Sequence, residues 1–313
     1  MSVFMATLSQ MTFLFLLIAI GFLLTRLNIL DKAAATTLSK LENNIFIPAL
    51  VLNTFMQNFS IEKLNVAKTV FLVSFVIVLI VMPLAVGISK LCTKDKYIQK
   101  IYTYGLAFSN FGFMGNAVVN AVFPDIFVEY LVFTLPLWTM IYLWGAPVLL
   151  LSEDSQKQGV KERAKAFVNP MFICMIVGMV FGLTNISLPG WFASCVSSCA
   201  DCMSPIAMLL TGITVATIDL RKIFTNTNIY VVSVIRLILI PITMLVVLRL
   251  IGVSDTVMIC AVCSVAMPLG LNTIVIPSAY GKDTTVAAGM AVLSHILSCI
   301  TIPLVFAMMM QIL

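Results

Sequence analysis

Apolar residues dominate this chain in runs of about 20, the length at which a helix crosses a ~30 Å hydrocarbon core. Ten such runs, at 6–25, 37–57, 66–91, 100–123, 126–151, 168–186, 192–216, 228–250, 256–280 and 285–311, are separated by short polar segments. An isolated strand in lipid leaves its backbone groups unpaired, and the two-residue alternation of a barrel is missing, so every run is predicted to be helical. The expected fold class is an all-α polytopic membrane protein.

Composition removes the alternatives. With 61% hydrophobic residues, 10% charged residues and a mean hydropathy of +1.11, the 313-residue chain is far too apolar for a soluble globular fold. The N-terminal stretch MSVFMATLSQMTFLFLLIAIGFLL has neither a basic leader nor a small-residue cleavage site, which predicts an uncleaved first helix. The eight cysteines fall mainly inside apolar spans, where Cys acts as a small hydrophobe, and imply no disulfide framework. Cys195, Cys199 and Cys202 form a C-x3-C-x2-C run. Helix packing by small residues is favoured there over a soft metal site, since no His and no acid beyond Asp201 accompanies the run.

The net charge of +5 comes from basic residues scattered between the spans rather than from one patch, so it encodes topology and not nucleic-acid binding. Fourteen of the eighteen Lys and Arg lie in the odd-numbered loops, against Lys63, Lys68 and Arg249 on the other side, and Arg236 is within a span. Cytoplasmic loops retain positive charge, which predicts a cell-membrane protein with both termini outside. The longest polar segment, 152–167, then becomes a cytoplasmic linker between a first unit at 1–151 and a second at 168–313.

The two units repeat the spacing of their helix-distorting residues. Gly21 and Gly178 are 157 apart, as are Pro48 and Pro205; Pro83 and Pro241 are 158 apart; Asn116 and Asn272, and Pro147 and Pro303, are 156 apart. A unit of five spans places its successor in the membrane from the opposite face. The spacing therefore predicts two inverted five-helix repeats, a common plan of secondary transporters.

Spans four and nine carry the candidate chemistry. Span four, GLAFSNFGFMGNAVVNAVFP, holds Ser109, Asn110, Gly112, Gly115, Asn116 and Asn120, while span nine, CAVCSVAMPLGLNTIVIPSAYG, holds Pro268, Gly270, Asn272, Thr273 and Pro277. Pro removes a backbone donor, and Gly costs about 1 kcal/mol relative to Ala inside a helix, so both spans are expected to break. Broken ends at mid-membrane must be buried or line a wet cavity, and paired half-helix N-termini there would favour an anion without any formal charge. Asn116 and Asn272 would add side-chain donors and acceptors, though interhelical hydrogen-bond glue is the plainer role for such residues.

Accessory candidates are fewer. Asn44 and Asp201 are again 157 apart, each just ahead of a repeated proline. Asp201 reads either as a site for a coupling cation or proton, or as a water-exposed group at the outer interface. Arg236 offers a charge for a substrate carboxylate or a head that snorkels to the lipid headgroups. His295 is a proton relay or, more plainly, a histidine hydrogen-bonded within the bundle. No phosphate-binding Gly-rich loop, HExxH, nucleophile elbow or pair of intramembrane aspartates occurs, so no enzyme reading and no cofactor has support, beyond H+ or Na+ as coupling ions.

These residues bring a resemblance with them. NNIFIPALVLNTF in span two, SNFGFMGNAVV in span four, SPIAMLLTG in span seven, and AMPLGLNTIVIPSAYGKDTTVAAG followed by LSHILSCITIPLV resemble the auxin efflux carrier family, in particular its bacterial members, over essentially the full chain. One departure is that Asn116 and Ala117 stand where members often show a small or branched residue followed by proline. The resemblance implies that broken spans four and nine cross within a transport domain of spans three, four, five, eight, nine and ten. That domain would move against a scaffold of spans one, two, six and seven. It implies transport of organic anions such as auxin-type acids or malate, with the crossover asparagine role on Asn116 and Asn272 and Pro268 as breaker. Plant members place charged groups in a support site around span three, where this chain offers little beyond Ser74.

The function expected is elevator-type transport of a small organic anion, bound by Asn110, Gly112, Gly115, Asn116, Pro268, Gly270, Asn272 and Thr273. A transporter-like receptor that binds a small molecule or lipid without moving it is the rival, and a passive channel is a third. The chain ending at Leu313 after its last span favours a stand-alone carrier over a receptor. A homodimer is compatible with the sequence.

Overall fold

The computed structural model describes residues 3–31, 33–150, 170–184, 186, 188–217, 227–279 and 282–313. The linker expected at 152–167 lies outside them. All regular structure among the described residues is helical, apart from one isolated antiparallel bridge between Ser109 and Leu269. Six helices there are long and apolar enough to cross a membrane unaided: Val3–Arg26, Asn65–Cys92, Pro124–Leu150, Gly190–Ala216, Thr227–Ile251 and Thr285–Ile312. Phe111–Val122, Pro170–Thr184 and Asp255–Ala266 are shorter apolar helices.

In chain order, α1 is Val3–Arg26, α2 Ala33–Leu41, α3 Ile47–Asn58, α4 Ile61–Cys92, α5 Lys96–Ala107, α6 Asn116–Val122 and α7 Phe127–Met140. They are followed by α8 Pro170–Thr184, α9 Gly190–Ala216, α10 Thr227–Val234, α11 Ile240–Ile251, α12 Asp255–Ala266, α13 Asn272–Ala279 and α14 Thr285–Ile312. Two π-helical turns have a common cause. Glu42–Phe46 joins α2 to α3 just ahead of Pro48, and Ile235–Leu239 joins α10 to α11 just ahead of Pro241. A proline ring crowds the carbonyl four residues before it, and the widened turn gives that carbonyl room without ending the helix. The bonds from the Ile47 and Ile240 N–H groups to the carbonyls of Glu42 and Ile235 close these wider turns.

Close helix packing rests on glycine. A Cβ at Gly21 of α1 would run into the Leu209 carbonyl of α9, and one at Gly212 of α9 into the Ile18 carbonyl of α1. The other tight pair is α8 on α3, where a Cβ at Gly178 would lie 3.0 Å from the Leu52 carbonyl oxygen and one at Gly182 would lie 2.6 Å from that of Phe55. With no side chain at these points, two backbones approach as helices in lipid commonly do. The packed interior is centred instead on α5, α7 and α12, where Tyr102, Tyr104, Tyr130, Phe133 and Met258 are buried. Outward faces of α1, α4, α11 and α14 expose large apolar side chains such as Leu16, Leu72, Leu250 and Ile300, the arrangement suited to lipid contact.

Candidate functional site

Spans four and nine are interrupted at matching places. Helix α5 stops at Ala107, the chain is extended at Phe108, and a π-helical turn at Phe111–Gly115 leads into α6. Helix α12 stops at Ala266, Met267 is extended (φ −69°, ψ 151°) ahead of Pro268, and α13 starts at Asn272. The residue before a proline is driven out of the helical region, which fixes the second stop.

The two interruptions lie against one another. Ser109 pairs with Leu269 in an antiparallel bridge, and the Asn110 N–H donates to the Pro268 carbonyl at 2.8 Å. Backbone groups freed by a break in lipid must find partners, and side chains from several spans supply them here. Arg236, itself buried, donates from Nη1 to the Leu106 carbonyl at 3.0 Å, at the carbonyl end of α5 where a cation is favoured. The Ser109 hydroxyl donates to the Ser264 carbonyl near the end of α12, and Ser294 Oγ accepts from the Leu269 N–H at 3.1 Å. Tyr130 donates to the Phe111 carbonyl at 3.1 Å. Thr273 is fully buried and returns its hydroxyl to the Gly270 carbonyl at 2.7 Å, closing the start of α13.

A small cleft opens at the crossing. Asn110, Phe111, Gly112 and Phe113 border it from one break, Gly270, Leu271 and Asn272 from the other, and Tyr104, Ser109, Trp138 and Ile141 complete it. Two helix starts, Phe111–Val122 and α13, therefore face one space, and the positive ends of their dipoles converge there. The cleft has room for about one water. Two glycines set its walls: a Cβ at Gly112 would strike the Trp138 ring, and one at Gly270 would lie 3.0 Å from the Ser109 carbonyl oxygen. A much roomier apolar groove of about 540 Å³ lies between α4 and α11 with the π-helical turn before it, lined by residues such as Val73, Ile77, Ile240 and Met244, and Thr243 is the one polar side chain among its described lining residues.

Sequence comparison meets this geometry. The family described as "Membrane transport protein" matches residues 6–166 and 159–306, which together cover nearly the whole chain. The chain belongs to this family, that of the auxin efflux carriers. It is also similar to a protein of Methanothermobacter thermautotrophicus (strain Delta H) described as "Uncharacterized transporter", with 24% identity over 313 residues, 96% of this chain and 98% of the relative. The protein is thus a multi-pass membrane transport protein.

Within this transport protein, the residues expected at the site separate into two groups. The crossing brings together Asn110, Gly112, Gly270 and half-buried Asn272, with Pro268 and Thr273 shaping the backbone. Gly115 faces the Tyr130 hydroxyl, where a Cβ would not fit. Asn116 is buried at the start of α6 but does not border the cleft, and its Oδ1 has no partner among the described residues. Asn44 is exposed and bonds back to the Lys40 carbonyl at 2.8 Å; Asp201 is exposed on α9. Neither borders the cleft. Arg236 takes a place that neither expectation covered, between a substrate charge and a snorkelling head: it caps a half-helix. Ser74 is committed to the Phe133 carbonyl, tying span three to span five.

Two acids escaped the sequence reading. Glu42, in the first π-helical turn, is fully buried with both carboxyl oxygens unpartnered among the described residues, and Glu129 is buried in the first turn of α7. Glu42 stands beside Lys40, Asn43 and Asn44, which makes it look like the polar edge of a span. The signal available was its place after an apolar Leu41 and six residues before Pro48.

Proposed function

We propose that the chain is a secondary transporter that carries a small organic anion by an elevator-type movement of the crossover. The observation that carries this is the convergence of two helix starts on a cleft bordered by Asn110 and Asn272, with no acidic side chain on its walls among the described residues. A carboxylate placed there would meet backbone N–H groups and the Asn272 amide in a site shielded from water, where such donors count most. Tyr104, Phe111, Phe113 and Trp138 supply aromatic surface, while among the described residues no Lys or Arg lines the cleft for a second carboxylate. That lining favours a carboxylate with an apolar or aromatic body, an auxin-type acid, over a dicarboxylate such as malate.

The cleft must open to admit such a ligand, and the packing suggests which parts move. The close α1–α9 and α3–α8 pairs supply a scaffold of spans one, two, six and seven. Spans three, four, five, eight, nine and ten form the transport domain around the crossing. Two inverted five-helix repeats, with ten spans in all, account for the reciprocity of the glycine contacts: Gly21 of span one lies on span seven, and its counterpart Gly178 of span six lies on span two. The positive-inside bias puts both termini on the outer face of the cell membrane.

Uptake of labelled indole-3-acetate into proteoliposomes tests the reading. Saturable uptake, accelerated by unlabelled indole-3-acetate preloaded inside, is the expected result. Binding without uptake would instead support a receptor, and flux that neither saturates nor exchanges would support a channel.

A further inference from the structure

We propose that His295 is a proton-binding site that switches the polarity of the crossover cleft, so that a proton and the substrate anion bind together; this rests on the anion reading above. His295 is the chain's one histidine and is buried on α14. Its Nδ1 lies 2.7 Å from the Ala291 carbonyl, a group that only accepts, so Nδ1 carries the ring proton. Neutral imidazole then presents a lone pair at Nε2, and Asn110 Nδ2 donates to it at 3.2 Å. Asn110 borders the cleft and is anchored through its own N–H to the Pro268 carbonyl. One Nδ2 hydrogen is bonded to His295, and the amide also holds Oδ1, an acceptor that repels a carboxylate.

A proton taken up on Nε2 turns that nitrogen into a donor. The Asn110 amide then makes a half-turn to accept through Oδ1, and Nδ2 swings to the place Oδ1 held. No backbone bond is broken. One added N–H bond thus gives the cleft a donor and a nearby positive charge together.

The surroundings decide when this proton is held. Of the charged side chains on elements packed against α14, Arg26, Lys96, Asp201, Arg249 and Asp255 are exposed and Lys100 is half-buried. Arg236 is buried in the turn between α10 and α11, as are the titratable Tyr102, Tyr104, Cys260 and Cys263 on α5 and α12; Tyr230 of α10 and Cys299 of α14 itself are half-buried. None of these buried groups is a carboxylate, and Arg236 already brings one positive charge. An anion in the cleft is the group that offsets a second. Each ligand therefore raises the affinity for the other by the same factor.

A single histidine makes the test direct. Protein in nanodiscs, with histidine labelled by an NMR-active nitrogen isotope, reports on His295 alone, while thermal shift reports binding. The probes are indole-3-acetate and malate. Indole-3-acetate is expected to stabilise the protein more at about pH 5 than at about pH 8. It should also raise the pH at which His295 titrates by about one or more. Stabilisation with the histidine signal unmoved overturns the proton switch alone; stabilisation by neither probe overturns the anion reading and the switch together. His295→Gln is expected to bind indole-3-acetate with no pH dependence over that range, and retained pH dependence counts against the switch. Should that variant fail to fold, the wild-type titration still decides.

Discussion

In the second break Pro268 withholds a donor and Met267 is held extended, so the interruption follows from two adjacent residues. In the first break no proline lies between Ala107 and Gly115, and the chain leaves the helix at Phe108 through contacts made by other spans. Arg236 caps the end of α5, Tyr130 holds Phe111, Ser109 reaches Ser264, and Asn110 joins both Pro268 and His295. One interruption is written locally, while the other is assembled on it. A site made this way couples spans four, five, eight, nine and ten, so a change in any of them reaches the cleft.

The comparison can be broken by variants of graded effect. Arg236→Ala leaves the Leu106 carbonyl without its buried donor and opens a cavity, which should cost about 3 kcal/mol of stability and abolish uptake. A loss below about 1 kcal/mol in thermal denaturation would mean that the first break does not depend on span eight. Tyr130→Phe removes one hydrogen bond to Phe111 and should cost about 1 kcal/mol, with uptake reduced rather than lost.

Pro268→Ala is expected to cost less than about 1 kcal/mol, because the carbonyl at position 268 still accepts from Asn110. Full retention of uptake would show that the bonded crossing, and not the proline, holds the second break. Tyr97→Phe tests the foot of α5, where the phenol donates to the Asp283 carbonyl at 2.6 Å, and should cost about 0.5 kcal/mol. Burial and then the Asp283 charge hold the Tyr97 phenol above its usual value of 10.0. Its bond is therefore present at neutral pH and lost only as pH rises through that raised value, so the Tyr97→Phe difference should be constant between about pH 6 and about pH 9.

The asymmetry between the breaks also explains what the sequence made legible. Long apolar runs announce α1, α4, α9 and α14, because length and hydropathy alone decide whether a helix can cross a bilayer. Pro268 announces the second break for the same local reason. The first break was legible from its glycines and asparagines, but which asparagine borders the cleft was not. Asn116 matches Asn272 in spacing, yet Asn110 lies at the crossing, since the bridge from Ser109 to Leu269 sets the register. Arg236 and Glu42 were harder still. Hydropathy shows that a charge sits within a span, but only packing shows that Arg236 faces a half-helix end and that Glu42 faces the interior.

The most direct measurement is equilibrium binding of indole-3-acetate to the purified protein and to Asn272→Leu. Asn272 borders the cleft at the start of α13, so replacing its amide with an apolar side chain should weaken binding about tenfold or more, near 1.4 kcal/mol, while the protein stays folded. Equal affinity in the two proteins would contradict a substrate site at the crossing of spans four and nine.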